Sequence, residues 1–182
     1  MVATWVAADK RRWLAWAIGV NLALGALLYH YHDLAHALGL QPTRKTDPYA
    51  RVTGYRALGQ AVKRLLAAHP DARLMGDDRK TFASLLYYAR PLSREAVYLN
   101  PARHIDDHYA LTADVAQRPQ GRFILVTRKR SREELERWFA EVRPLEHLHV
   151  RTHPDAALDY QAWWVRDFLG YLASPEAPAA LE

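Results

Sequence analysis

The chain has 182 residues, no cysteine, and 25 Lys and Arg against 20 Asp and Glu, a formal net charge of +5. The missing cysteine excludes a disulfide framework and thiolate chemistry. So modest a charge argues against nucleic acid as a partner and for attraction to anionic head groups or phosphates. Five Lys against twenty Arg, with abundant Ala, suits a bacterial chain from a GC-rich genome.

The first element is apolar. From Trp13 to His32 (WLAWAIGVNLALGALLYHYH) twenty residues pass without an Asp, Glu, Lys or Arg. A helix rises about 1.5 Å per residue, so the run spans about 30 Å, the hydrocarbon thickness of a bilayer. A transmembrane helix is therefore expected over residues 13–37. Lys10, Arg11 and Arg12 precede the run, Asp33 closes it, and the next basic residues are Arg44 and Lys45. By the positive-inside tendency residues 1–12 are cytoplasmic and the remainder lies outside. Trp13, Trp16, Tyr29 and Tyr31 suit the two membrane interfaces. Ala35-His36-Ala37 also has the form of a signal-peptide cleavage site, but signal-peptide cores are about 7–15 residues long and this run is longer. Ala15, Gly19, Ala23 and Ala26 form a stripe of small residues that would let another membrane helix approach, and Asn21 would want a hydrogen-bond partner in mid-membrane. The plainer account of the stripe is an alanine-rich chain.

Residues 38–52 read as a linker, polar and proline-containing from Gln41 to Pro48. The domain expected over 53–171 is long enough to bury a core. Thr53 can cap a helix from Gly54 to His69, with Tyr55, Leu58, Val62, Leu65 and Leu66 on its apolar face. Ala72 to Met75 is a short strand, Gly76-Asp77-Asp78 a turn, and Lys80 to Ala89 a helix. Ala96 to Leu99 is a second strand, and Asp106 caps a short helix through His108 to Thr112. Arg122 to Thr127 (RFILVT) is the clearest strand. Ser131 and Glu134 form a capping box for a helix reaching Glu141, with Leu135, Trp138 and Phe139 inward. Leu145 to Thr152 and Tyr160 to Leu169 form a hairpin turning at His153-Pro154-Asp155. This order predicts an α/β fold: one N-terminal transmembrane helix, then a three-layer α/β domain with a mostly parallel sheet and a C-terminal β-hairpin. Residues 172–182 form a tail expected to be disordered.

In open α/β sheets, ligands bind beyond the C-terminal strand ends. Those ends carry Asp77, Asp78 and Arg79, then Asn100, then Arg128 and Lys129, with His108 and Tyr109 close behind the second strand. The crevice could take a sugar or a phosphate; alternatively, Asp77 and Asp78 merely form the turn and cap the next helix. Two adjacent Asp residues are a weak metal signal. His32 with His36, or His147 with His149, could ligate zinc, with His30 and Asp33 near the first pair, but neither pair comes with a third and fourth ligand in a known spacing. No metal and no cofactor is expected. The basic run from Arg128 to Arg132 suits a phosphate or simply a solvated loop. No glycine-rich phosphate loop and no hydrolase nucleophile elbow is present.

Several motifs fall in a familiar order. A basic flank and a membrane helix lead to GYRALG (54–59), a strand ending DDR (77–79) and LLYYAR (85–90). VYLNP (97–101), HIDDHY (104–109), FILVT (123–127) and a hairpin closing on FLGY (168–171) follow. Over residues 10–171 the chain resembles the C-terminal region of bacterial family 39 glycosyltransferases of the GT-C type, relatives of the protein O-mannosyltransferases and aminoarabinose transferases. The resemblance implies a polyprenyl-phosphate-linked sugar as donor and a glycan or protein acceptor. It also implies a multi-spanning catalytic part whose acidic residues sit in its first extracytoplasmic loop. This chain has no such loop, so no catalytic residue is carried over. The expectation is a last membrane helix plus periplasmic domain, as a fragment or a separately encoded piece, anchored in the bacterial inner membrane. Asp78, Arg79, Tyr88, Asn100, His108 and Tyr109 match the family pattern and are candidates for a surface groove, with Asp77 and Arg128. The other reading is a stand-alone, membrane-anchored binding module for an envelope glycan or protein.

Overall fold

The computed structural model describes residues 11–171. Met1 to Lys10 and the tail over 172–182 lie outside the described residues. Helices α1 (Arg11–Tyr29) and α2 (Tyr31–Ala37) follow each other directly. Among the described residues α1 is the one helix long and apolar enough to cross a membrane, and none of its residues is buried. The expected single helix over 13–37 is thus divided at His30. The hydrogen-bond ladder still crosses the division: His30 N–H donates to Ala26 O at 3.0 Å and Leu34 N–H to His30 O at 2.9 Å. Asn21 donates its amide to Ala17 O at 2.8 Å, so its own helix supplies the partner. A side chain added at Gly19 would meet nothing within 4 Å, which leaves the small-residue stripe open.

The rest is a mixed α/β domain. Its five strands are β1 (Ala72–Gly76), β2 (Val97–Tyr98), β3 (Arg122–Thr127), β4 (Phe139–His153) and β5 (Ala156–Phe168), in the order β2-β1-β3-β5-β4. Its helices are α3 (Tyr55–Ala68), α4 (Arg79–Tyr88), α5 (His108–Thr112) and α6 (Arg132–Trp138). β1 runs parallel to β2 and β3, whereas β5 runs antiparallel to β3 and β4. The sheet is therefore not mostly parallel. The cause is the length and position of the terminal hairpin. Its strands have 15 and 13 residues, and β5 occupies the open edge of β3 from Arg122↔Arg166 to Thr127↔Gln161.

β3 shows why the sheet sits where it does. Ile124 and Val126 join one core with Leu58, Val62 and Leu66 of α3 and Leu85 of α4. Phe123 and Leu125 join another with Leu135 and Trp138 of α6 and Val165 of β5. A strand buried on both faces needs a continuous apolar run rather than alternation, and FILV supplies it. α3 buries Tyr55, Leu58, Val62 and Leu66, one stripe of a 3.6-residue repeat. Gly59 lies on that stripe, and any side chain there would collide with Tyr88 of α4. Glycine is what lets the two helices touch.

Local signals explain the remaining boundaries. Thr53 does not cap α3. Gly54 holds the N-cap position at φ +89°, a conformation that favours glycine, while the Thr53 hydroxyl donates to Tyr49 O at 2.9 Å. Asp107, not Asp106, caps α5, accepting from the Tyr109 and Ala110 N–H groups at 2.8 and 2.9 Å. Ser131 and Glu134 do form the capping box. α6 stops at Trp138 instead of reaching Glu141, because Phe139 and Val142 pair with Phe168 and Val165 across the hairpin. On β4, an edge strand, Pro144 sits beside a register shift, and Arg143, Glu146, His147, His149 and Arg151 are exposed. Charges, proline and a bulge are the usual protection of an edge against pairing with another chain.

Leu125 is fully buried at the centre of β3. Leu125→Ala is expected to cost about 2–5 kcal/mol in urea unfolding, as methylene loss from a packed core does. A cost under about 1 kcal/mol would place this side chain outside a well-packed core.

Candidate functional site

The C-terminal ends of β1 and β3 bring Asp77, Asp78 and Arg128 together, and close them off. The Asp77 carboxylate accepts from Thr127 Oγ1 at 2.8 Å and from Arg130 Nε at 3.1 Å, with the Asp77 side chain only 2% exposed. Burial raises its pKa; the Thr127 and Arg130 bonds pull the other way without cancelling that. Asp78 is the N-cap of α4, accepting from Thr81 N–H at 2.9 Å and Thr81 Oγ1 at 2.6 Å. Burial would raise Asp78 too, but the Thr81 bonds outweigh it and hold the carboxyl below its ordinary value. Since the Thr81 hydroxyl spends its hydrogen on Asp78, the Tyr160 hydroxyl donates to Thr81 across 2.7 Å. Arg128 lies 4.4 Å over the Tyr160 ring and donates from Nε to Asp159 O at 3.0 Å.

The other candidates scatter. Arg79 and His108 are exposed, and Tyr88 packs on Gly59. Tyr109 stands edge-on to Phe82, ring centroids 5.0 Å apart. Beside it Tyr98 is pushed up to about 12, first by burial and then by the charges of Asp107 and Asp78. Asn100 faces another way. Its backbone N–H donates to the Tyr171 hydroxyl at 2.9 Å, and it lines a cavity of about 470 Å³ with Arg103, Asp114, Gln117 and Tyr171. Among the described residues no group of three His, Cys, Asp or Glu is placed to hold a metal ion. His30 instead contacts Asp33 at 3.3 Å, and His149 contacts Asp159 at 2.6 Å.

The most developed polar arrangement lies elsewhere, where α2, residues 38–52 and the β4–β5 turn meet. Asp47 is 2% exposed at its side chain. Its Oδ2 accepts from His153 Nε2 at 2.9 Å and His32 Nε2 at 3.2 Å, and its Oδ1 accepts from Tyr49 N–H at 2.7 Å. Burial would raise its pKa, but the bonds from His153, Tyr49 and His32 outweigh it and hold the carboxyl below its ordinary value. The two imidazoles converge on a single oxygen, the arrangement of hydrogen-bond donors around an acceptor. Residues 38–52 are therefore not a free spacer. Tyr31 Oη donates to Thr46 O at 3.0 Å, Tyr49 Oη to Leu28 O at 2.8 Å, and Arg44 N–H to Asp155 Oδ1 at 2.9 Å. They strap the end of α1 to the hairpin tip. A cavity of about 640 Å³ opens here, lined in part by His32, His36, Asp47, Arg151 and His153.

Sequence reasoning singled out His32 and His36 but missed Asp47 and His153. The available signal was Thr46-Asp47-Pro48, whose residue types favour a side chain bonded to its own turn. Nothing local announces that the acid meets a histidine 106 residues later.

Asp47→Ala strands a buried imidazole donor and is expected to cost about 1–3 kcal/mol. The pH dependence follows from the lowered folded-state value. Stability from Asp47 is fully present above the ordinary 3.8 and lost as pH falls through that lower value. Spin labels on α1 and β5 should give one narrow distance at neutral pH and a broad one in acid. Asp47→Ala should be broad at both; a narrow distance throughout would show that the strap holds without its acid. For Asp78→Ala the expected loss is about 0.5–2 kcal/mol in thermal unfolding, that of a helix cap.

Comparison with protein-family models, with curated proteins and with solved structures finds no match to this chain.

Proposed function

We propose that this chain is the non-catalytic, membrane-anchored part of a glycosyltransferase that uses a polyprenyl-phosphate-linked sugar. It works beside a multi-spanning catalytic subunit in acceptor binding or assembly. In this reading α1 spans the bacterial inner membrane with its N-terminus cytoplasmic, and a three-layer α/β domain lies in the periplasm. The observation that carries the non-catalytic assignment is the commitment of the strand-end acids. Asp77 is held by Thr127 and Arg130, and Asp78 by Thr81. Glycosyl transfer needs a carboxylate beside the acceptor and groups that hold the departing phosphate, preorganised in one water-restricted site. One membrane helix encloses no such site. The bare face around Gly19 supports a helical neighbour in the membrane. The sequence resemblance supplies the reaction class, and the cores on both faces of the sheet support the three-layer description.

A second reading is a stand-alone binding module for an envelope glycan or protein. The cavity at Asn100 favours it, since Arg103, Asp114 and Gln117 offer donors and acceptors beside Phe168, the pairing that sugars require.

Purified and reconstituted in liposomes with lipid-linked sugars and acceptors, the chain alone should show no turnover. Adding a multi-spanning partner should restore it, and Arg79→Ala should then impair acceptor use more than donor binding. Robust transfer by the chain alone, abolished by Asp77→Ala or Asp78→Ala, would overturn this function. Glycan binding that needs no partner and is lost in Asn100→Ala would select the second reading. A reporter fused after Tyr171 should be active only if it is of the periplasmic kind.

A further inference from the structure

We propose that the cavity between α2 and the β4–β5 turn holds the phosphate of an anionic phospholipid. This rests on α1 spanning a membrane, and it adds a ligand that the proposed function does not require.

Depth is the first ground. His32 and His36 follow the end of α1 at Tyr29 by three and seven residues. At about 1.5 Å per residue they stand about 4.5 and 10.5 Å beyond it. The head-group layer extends about 5–8 Å beyond the hydrocarbon on each side. His32 thus falls inside that layer and His36 just past its outer edge, so the cavity brackets the level of lipid phosphates.

Charge is the second. Arg151 and His36 are exposed on the cavity wall. A guanidinium presents two parallel donors to a phosphate, and a histidine at this level can add a third. The acid in the wall, Asp47, is already covered by two imidazoles at 2.9 and 3.2 Å. It thus opposes an anion less than a bare carboxylate would.

The third ground is the wall itself. Ala35, Leu40, Pro42 and Pro154 line the cavity beside its polar groups. A volume of about 640 Å³ lined by both basic and apolar residues has room for a glycerophosphate head with the first carbons of its chains. Free phosphate would have no use for the apolar lining.

The test uses the full chain in nanodiscs of phosphatidylcholine doped with phosphatidylglycerol, with retained lipid read by native mass spectrometry. Wild type should retain phosphatidylglycerol in preference to phosphatidylcholine. Arg151→Gln should weaken that retention about tenfold, the loss of a charge-assisted bond, and His36→Gln should weaken it less. Arg151→Lys should restore part of it. Both side chains are exposed, and an unchanged thermal transition would show the variants folded. Equal retention of the two lipids by wild type, or retention unaltered by both variants, would overturn the assignment. So would displacement of the lipid by inorganic phosphate alone, which would make the site one for free phosphate. A chain absent from the nanodiscs would fail the membrane reading itself, a separate result.

Discussion

The relation between the apolar helix α1 and the folded domain depends on one carboxylate. Asp47 is buried, and a buried charge without partners is costly enough to break a small fold. Its partners come from three separate parts of the chain: His32 on α2, the Tyr49 backbone, and His153 at the end of β4. Satisfying that charge brings the parts together. Tyr31 and Tyr49 tie the strap to the helix, and Arg44 ties it to Asp155 at the hairpin tip. The open face around Gly19 therefore has a set direction relative to the sheet. A helix packing against that face would meet the domain in one orientation only.

The same economy governs the strand ends. In a parallel arrangement that edge is where unsatisfied backbone and polar side chains collect. Here Thr127, Arg130 and Thr81 satisfy Asp77 and Asp78, and Arg128 lies flat on Tyr160. An edge spent on internal bonds gains rigidity and loses freedom to engage a reacting group. Polar surface open to ligands is displaced to the junction of α2 with the hairpin turn and to the cavity beside Tyr171.

Much of this was legible in the sequence. RFILVT, the Ser131 to Glu134 box and the apolar stripe of α3 each combine composition with spacing over a few residues, and each stands where expected. The errors arose where two local signals competed. Leu135, Trp138 and Phe139 have helical spacing, yet Phe139 gains more as the first residue of β4, against Phe168. Thr53 is a better cap than Gly54 by residue type, but a positive φ selects glycine there and Tyr49 takes the hydroxyl. The mixed sheet was hidden because strand order is a long-range property: nothing in Ala156 to Phe168 says that it lies between β3 and β4 rather than at an edge. The pair of Asp47 with His153 was hidden for the same reason. Of the groove candidates, Tyr88 sets its Cβ against Gly59 and Tyr109 its ring against Phe82.

The place of β5 also bears on how the domain is born. β3 has one edge covered by β1 early, but its other edge faces β5, which is made some thirty residues later. Until Gln161 to Arg166 emerge, FILV is a half-paired apolar strand of the kind that sticks to other chains. Contacts so far apart in sequence close slowly, since the intervening loop must be ordered before they form. If α1 is the membrane anchor proposed above, the chain is anchored well before it can fold. In the proposed reading, α1 would hold that exposed strand at the membrane surface during the interval, at a distance from other copies that a freely diffusing chain would not have.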